Sequence, residues 1–187
     1  IQVMLVKIRQ EILGDLVKRA SRREIEAELH QLAQVTKDIP AQPDLNGMVI
    51  SELQRLTDQI NNAVDELKRF KSNSLEVGKK LLEKQRELFE LRNQVYLRHI
   101  RAIESHLPQV PSDPPVNDLP ALMGQVNQEK KQLERIEPTS EAALIEHARL
   151  FEYIFASQAT LRVAFDLAKL PDTDFSDEDT SADQENI

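Results

Sequence analysis

The 187-residue sequence contains no cysteine, no tryptophan and only four glycines. Without cysteine the chain has no disulfide, no thiolate ligand for zinc and no thiol nucleophile. Aromatic residues make up 4% of the chain and charged residues 30%, which excludes a large spherical core of bulky rings. No stretch approaches eighteen consecutive apolar residues, so the sequence predicts no membrane-spanning helix.

The residue patterns of common catalytic and cofactor sites are also missing. The four glycines stand alone, and no glycine-rich loop is present to bind phosphate. No serine lies in a Gly-x-Ser-x-Gly turn. The four histidines lack metal-ligand spacing, because none follows a glutamate by three residues and no His-Glu-x-x-His occurs. We therefore expect no enzyme, no cofactor and no metal site.

What the sequence does contain is helical periodicity, which predicts an all-α fold. Apolar residues recur every three or four positions from Ile1 to about Ile39, and Ser21 with Glu24 reads as a capping box that leaves continuity of this helix open. Prolines in the segment 40–47 predict a turn. The sixty residues from Met48 to Leu107 contain no proline.

This second helical stretch carries a heptad pattern. Twelve of the fourteen a and d positions between Val49 and Val95 are apolar, with Ser74 and Lys84 as exceptions. A second apolar row of residues seven apart runs beside the first, and such a wide apolar arc favours a bundle of three or four helices. Potential caps at Asn73 or Ser74 predict a kink near residue 73. The second row contains Leu75, Leu82, Phe89, Tyr96 and Ile103.

The remainder divides into a linker, a helical region and a tail. Five prolines between positions 108 and 120 predict an extended linker over 108–118, followed by helices over 119–170 that Pro138 interrupts. The last helix is apolar on more than one face, and we expect other helices to enclose it. Domain organisation is thus a helical hairpin or coiled coil over 1–107, the linker, a shorter helical pair and a tail over 171–187.

The tail holds seven acidic residues and no lysine or arginine, so 25 acidic and 24 basic residues remain in the other 170 positions. This composition predicts a disordered segment. Ser176 and Thr180 each precede an acidic residue by three positions, which suits an acid-directed kinase. The competing interpretation is a tail that only increases solubility and that no partner protein recognises.

Basic residues cluster between positions 68 and 86, interrupted only by Glu76 and Glu83. A stripe of this kind is what a phosphate backbone or an anionic membrane would contact. Helical spacing, however, scatters these residues around the cylinder, which favours a solvated face or an acidic partner helix. The cluster contains Lys68, Arg69, Lys71, Lys79, Lys80, Lys84 and Arg86.

Together these features predict an elongated helical hairpin or coiled coil that exposes more apolar surface than its own helices cover. We expect a non-enzymatic scaffold subunit of a soluble nuclear or cytoplasmic complex, whose partners are other helical chains or a second copy. The acidic tail favours a nuclear complex such as a kinetochore or Mediator-like assembly. The alternative is a self-contained bundle that binds nucleic acid or anionic membrane through the basic cluster. The residues predicted to contact partners are Leu53, Leu56, Ile60, Leu67, Phe70, Leu81, Leu88, Leu91, Val95, Phe89, Tyr96 and Ile103.

Overall fold

The computed structural model describes residues 2–169, apart from the side chains of residues 17–20. Over this range the chain is all-α, with five α-helices, two single-turn 3₁₀ helices and no strand. The prediction of an all-α fold is therefore confirmed. The α-helices are α1 (Gln2–Val35), α2 (Ile50–Arg69), α3 (Leu75–His106), α4 (Leu119–Glu134) and α5 (Glu141–Ala168).

The ends of these helices follow local sequence signals. Ser140 caps α5, because its side chain accepts a hydrogen bond from the backbone N–H of Ala143 at 3.2 Å. Lys169 ends the same helix in the left-handed conformation, with φ of 54°. Ser74 accepts from the N–H of Val77 at the start of α3. α1 continues through Ser21, so the capping box there does not interrupt it.

Internal contacts divide the chain into two compact units, and the boundary between them runs through α2 and α3. The described residues of the first unit are 2–44 and 54–92, and those of the second are 45–53 and 93–169.

In the first unit, α2 and α3 form a helical hairpin around the break at residues 70–74. Arg92 of α3 donates to Asn61 of α2 at 3.3 Å, which joins the two antiparallel helices. The hairpin closes because leucine, isoleucine, valine and alanine recur at heptad spacing on its inner side. Its buried residues include Leu56, Ile60, Ala63, Val64, Leu67, Val77, Leu88 and Leu91, together with Leu32 of α1.

Two contacts fix the direction of α1 against this hairpin. Ser72 donates to Glu28, and Lys84 donates to Thr36 at 3.2 Å. Because the later residue of α1 meets the later residue of the hairpin, α1 runs parallel to α3. α3 begins only at Leu75, so the earlier turns of α1 extend past the end of the hairpin.

In the second unit, α4 and α5 pack on residues 93–106 of α3. Arg149 lies 3.0 Å from Glu104, and Tyr153 donates to the backbone oxygen of Pro108, so α5 runs parallel to α3. Gln158 donates to Asn127 of the antiparallel α4 at 2.9 Å. The core combines Tyr96, Ile100 and Ile103 with Leu119, Met123, Val126, Leu133, Leu150, Ile154, Leu161 and Phe165.

Candidate protein interface

The first part of α1 exposes an unusual concentration of large apolar side chains. Between Val3 and Leu16, eight such residues are 45% to 74% exposed. Scattered exposed leucines are normal, but a contiguous group of this size marks an interaction surface. The group consists of Val3, Met4, Leu5, Val6, Ile8, Ile12, Leu13 and Leu16.

Four of these residues form a narrow row, here named the α1 stripe: Leu5, Ile8, Ile12 and Leu16. Their spacing of three and four residues keeps them on one side of the helix. The later turns of α1 contact the hairpin through a different side, centred on Leu32, which is fully buried. At about 100° per residue, the two sides are roughly 160° apart. The α1 stripe therefore faces away from the surface that α1 presents to its own chain.

A second row, here named the α3 row, consists of Leu75, Leu82 and Phe89, which are 75%, 67% and 38% exposed. The spacing of seven residues places them on one face of α3. The predicted continuation of this row, Tyr96 and Ile103, is buried in the core of the second unit. The heptad positions from Leu75 to Phe89 are thus exposed, whereas those at Tyr96 and Ile103 are buried by the chain itself.

α5 also has an exposed apolar side, although the sequence predicted that other helices enclose it. Ile145, Val163 and Leu167 are 59%, 58% and 81% exposed, and Phe155 is 52% exposed. Three small residues, Ala148, Ala156 and Ala159, lie exposed at intermediate positions of the helix. Among the described residues, no helix covers this side of α5.

The residues that the sequence predicted to contact partners fall into three groups. Most are covered by the chain itself, and the interface proposed below is therefore built mainly from other residues. Phe70 and Leu81 are half-buried and Phe89 is exposed. The covered residues are Leu53, Leu56, Ile60, Leu67, Leu88, Leu91, Val95, Tyr96 and Ile103.

The basic cluster is partly neutralised by neighbouring carboxylates. Lys79, Lys80 and Lys84 line a groove of about 480 Å³ together with Glu76, Glu83, Leu29 and Ala33. Lys80 lies 3.4 Å from Glu83, and Arg22 of α1 lies 2.8 Å from Glu76. All four side chains of these pairs are about half exposed, so the pairs add little to stability.

A buried histidine and a buried glutamate of the second unit have shifted pKa values, and sequence reasoning missed both. His99 is 2% exposed, and its Nε2 has no hydrogen-bond partner among the described residues. Burial, with a further contribution from the charge of Arg98, lowers the pKa of His99 to about 4. Burial also raises the pKa of Glu129, although the charge of His106 opposes this shift. His99 is consequently a neutral core residue near pH 7.

An exposed ion-pair group on the second unit joins α3 to α5. Arg149 lies 2.7 Å from Glu146 and 3.0 Å from Glu104. The hydrogen bonds that Arg149 donates to Glu146 and then to Glu104 raise its pKa above the usual value. These partners keep the guanidinium charged and orient it along the α3–α5 seam.

Within residues 2–169, no cluster of three or more histidine, aspartate or glutamate side chains has the geometry to hold a metal ion. In the same range, none of the helices combines the length and the hydropathy that crossing a membrane requires. The predicted phosphorylation sites, Ser176 and Thr180, lie outside the described residues.

Comparisons of the chain with protein-family models, curated proteins and solved structures found no match.

Proposed function

We propose that the protein is a non-enzymatic structural subunit that assembles with other helical chains, and that the α1 stripe is its principal contact. The observation that carries this proposal is the exposure of eight large apolar residues between Val3 and Leu16. They project from helical turns that extend past the intrachain hairpin. The chain therefore presents a formed helix whose apolar side has no cover among the described residues.

The energetics favour a partner at this place. Full burial of a leucine or isoleucine side chain is worth about 1.5–3 kcal/mol, so each half-exposed residue leaves on the order of 1 kcal/mol unrealised. Isolated helical turns are also weak in water, because most helical stability comes from packing of an amphipathic face. A partner helix would supply both the burial and the packing.

The position of the apolar residues favours a helical partner over a flat surface. Residues spaced by three and four positions are the anchors by which one helix lies against another. Val6 and Leu13 widen the apolar arc on one side of the stripe. An arc of this width accommodates two neighbouring helices, as in a bundle of three or four.

The acidic sequence after residue 171 favours a nuclear assembly, of the kinetochore or Mediator kind, within this proposal. Ser176 and Thr180 would deepen its negative charge if phosphorylated, which strengthens docking onto basic surfaces.

Analytical ultracentrifugation of the purified full chain tests the proposal. We expect the chain alone to self-associate in a concentration-dependent manner, because the α1 stripe is then covered by other copies. A triple variant, Leu5→Ser, Ile8→Ser and Ile12→Ser, is expected to sediment as a monomer with unchanged folding of the second unit.

The matched control replaces three residues on the opposite side of the same turns with serine: Lys7, Gln10 and Glu11. It preserves the net charge and carries a similar loss of helix propensity. A parent chain that remains monomeric at tens of micromolar would contradict the proposal. Equal effects of the two triple variants would contradict it as well.

A further inference from the structure

The α3 row differs from the α1 stripe in the charges that surround it. Lys79 follows Leu75 by four residues, and Arg86 follows Leu82 by four residues. At about 100° per residue, four positions bring each basic residue within roughly 40° of the row. Both side chains are exposed, and no carboxylate of the described residues is ion-paired to either.

The acidic residues next to the row in the sequence lie further from it around the helix. Glu76, Glu83 and Glu90 each follow a row residue by one position, which places them roughly 100° away. Glu76 pairs with Arg22 of α1, and Glu83 pairs with Lys80. The immediate surroundings of the α3 row are consequently basic.

A third basic group lies at the end of the row. The guanidinium carbon of Arg92 lies 5.0 Å from the centre of the Phe89 ring. Such a cation–π contact holds the positive charge over the ring that a partner would cover. In addition, Gly78 lies between Leu75 and Leu82, and apart from its chain neighbours and the backbone of its own helix nothing lies within 4 Å of the position a Cβ would take there. A partner backbone has room to approach at this level.

We propose that the α3 row, Leu75, Leu82 and Phe89, binds an amphipathic helix of a partner protein whose apolar residues are flanked by acidic side chains. The spacing of seven residues selects a helix, because its apolar residues repeat with the same period. The flanking charges select an acidic one, since complementary charges beside an apolar seam fix partner choice. This inference rests on the proposed function and names the chemistry of one of its partners.

The same charges argue against a second copy of this chain at the α3 row. Two copies aligned along this row would bring Lys79 and Arg86 of one against the same residues of the other. Like charges across a seam cost energy and select against the wrong partner. Self-association through the α1 stripe avoids this repulsion, because the segment 2–16 carries two basic and two acidic residues.

Two synthetic helical peptides probe this surface on the full chain. Both carry leucine at heptad spacing over three heptads, and their flanking positions are all glutamate in one and all lysine in the other. By fluorescence anisotropy at about 0.1 M salt, we expect the glutamate peptide to bind at least about tenfold more tightly than the lysine peptide. The difference is expected to shrink at higher salt, because screening weakens exposed charge pairs.

Three variants assign the binding to the α3 row. The double variant Lys79→Glu and Arg86→Glu is expected to reverse the preference between the two peptides. Leu82→Gln is expected to weaken binding of both, and its 67% exposure means that folding is unaffected. The matched control, Lys68→Glu with Arg69→Glu at the exposed end of α2, changes the net charge equally and is expected to retain the parent preference.

Four results would overturn the inference. The first two are that neither peptide binds, or that the matched control weakens binding as much as the Lys79/Arg86 variant does. The third is that a peptide of residues 171–187 binds as tightly as the glutamate peptide. The fourth is that the chain binds duplex DNA or phosphatidylserine vesicles and the Lys79/Arg86 variant abolishes this binding. The 171–187 peptide is acidic without heptad spacing and so tests charge alone. Self-association through the α1 stripe is measured separately, by sedimentation. Loss of peptide binding alone therefore does not contradict the proposed function.

Discussion

Lowering the pH is expected to destabilise the second unit because its core contains His99 in the neutral form. The pKa of this imidazole is about 4 in the folded chain, against an ordinary value of 6.5. Between these two values the unfolded chain binds a proton that the folded chain does not. Stability from this residue is therefore complete above about pH 6.5 and is lost as the pH falls toward 4.

The size of the effect follows from the pKa difference. At about 1.4 kcal/mol per unit, protonation of the unfolded chain removes about 3 kcal/mol by pH 4 and about 2 kcal/mol by pH 5. Glu129 contributes with the opposite sign, because its pKa is raised and its burial penalty is relieved as the pH falls. The difference between the parent and a variant that lacks the imidazole isolates the contribution of His99.

The variant His99→Leu supplies that comparison. It removes the titrating group and the Nε2 atom that lacks a hydrogen-bond partner among the described residues. Urea unfolding followed by circular dichroism between pH 7.5 and pH 5 is expected to show a fall of about 2 kcal/mol in the parent beyond that in the variant. At pH 7.5 the variant is expected to be at least as stable as the parent.

Nuclear magnetic resonance gives the direct reading. The chemical shifts of the His99 ring protons should stay at the values of a neutral imidazole down to about pH 5, consistent with a pKa of about 4. Titration of the folded chain near pH 6.5, or equal pH dependence of the parent and His99→Leu, would refute the reasoning.

Four substitutions test the helix ends, the core and the surface by the free energy of unfolding. Ser140→Ala should cost about 1 kcal/mol by removing the cap of α5. Lys169→Gly should stabilise the chain by up to about 1 kcal/mol, since glycine adopts the left-handed conformation without steric cost. Ile154→Ala should cost about 2–5 kcal/mol because it opens a cavity at a fully buried site, whereas Leu167→Ala, at an 81% exposed site, should change stability by less than about 0.5 kcal/mol. A null result for Ile154→Ala would contradict the core described above.

The helices follow from the sequence because their signals are local. Periodicity, prolines and the Ser140 cap place α4 and α5 close to the predicted bounds, and the break at 70–74 lies where Asn73 and Ser74 predict a kink. The burial of His99 could also have been predicted from the sequence, since Val95, Tyr96 and Ile103 lie three or four residues away on the same face. Only the polarity of the imidazole favoured an exposed position.

The local sequence does not predict which apolar rows are buried by the chain itself and which remain exposed. Leu56 and Leu82 occupy similar heptad patterns, yet the first is buried and the second is 67% exposed. The difference depends on the direction and stagger of α1 against the hairpin, which the long connection between Val35 and Ile50 leaves free. Periodicity reports that a face is apolar, and tertiary packing decides what covers it.

Site-specific photo-crosslinking in the cells that express the protein tests the central claim most directly. A photoreactive residue at Ile8, on the α1 stripe, is compared with the same residue at Gln10, which is exposed on the opposite side of the same turn. We predict adducts to another polypeptide chain, identified by mass spectrometry as a helical segment, from position 8 and not from position 10. Equal adducts from both positions, or none from position 8, would contradict the assignment of the α1 stripe as an interface.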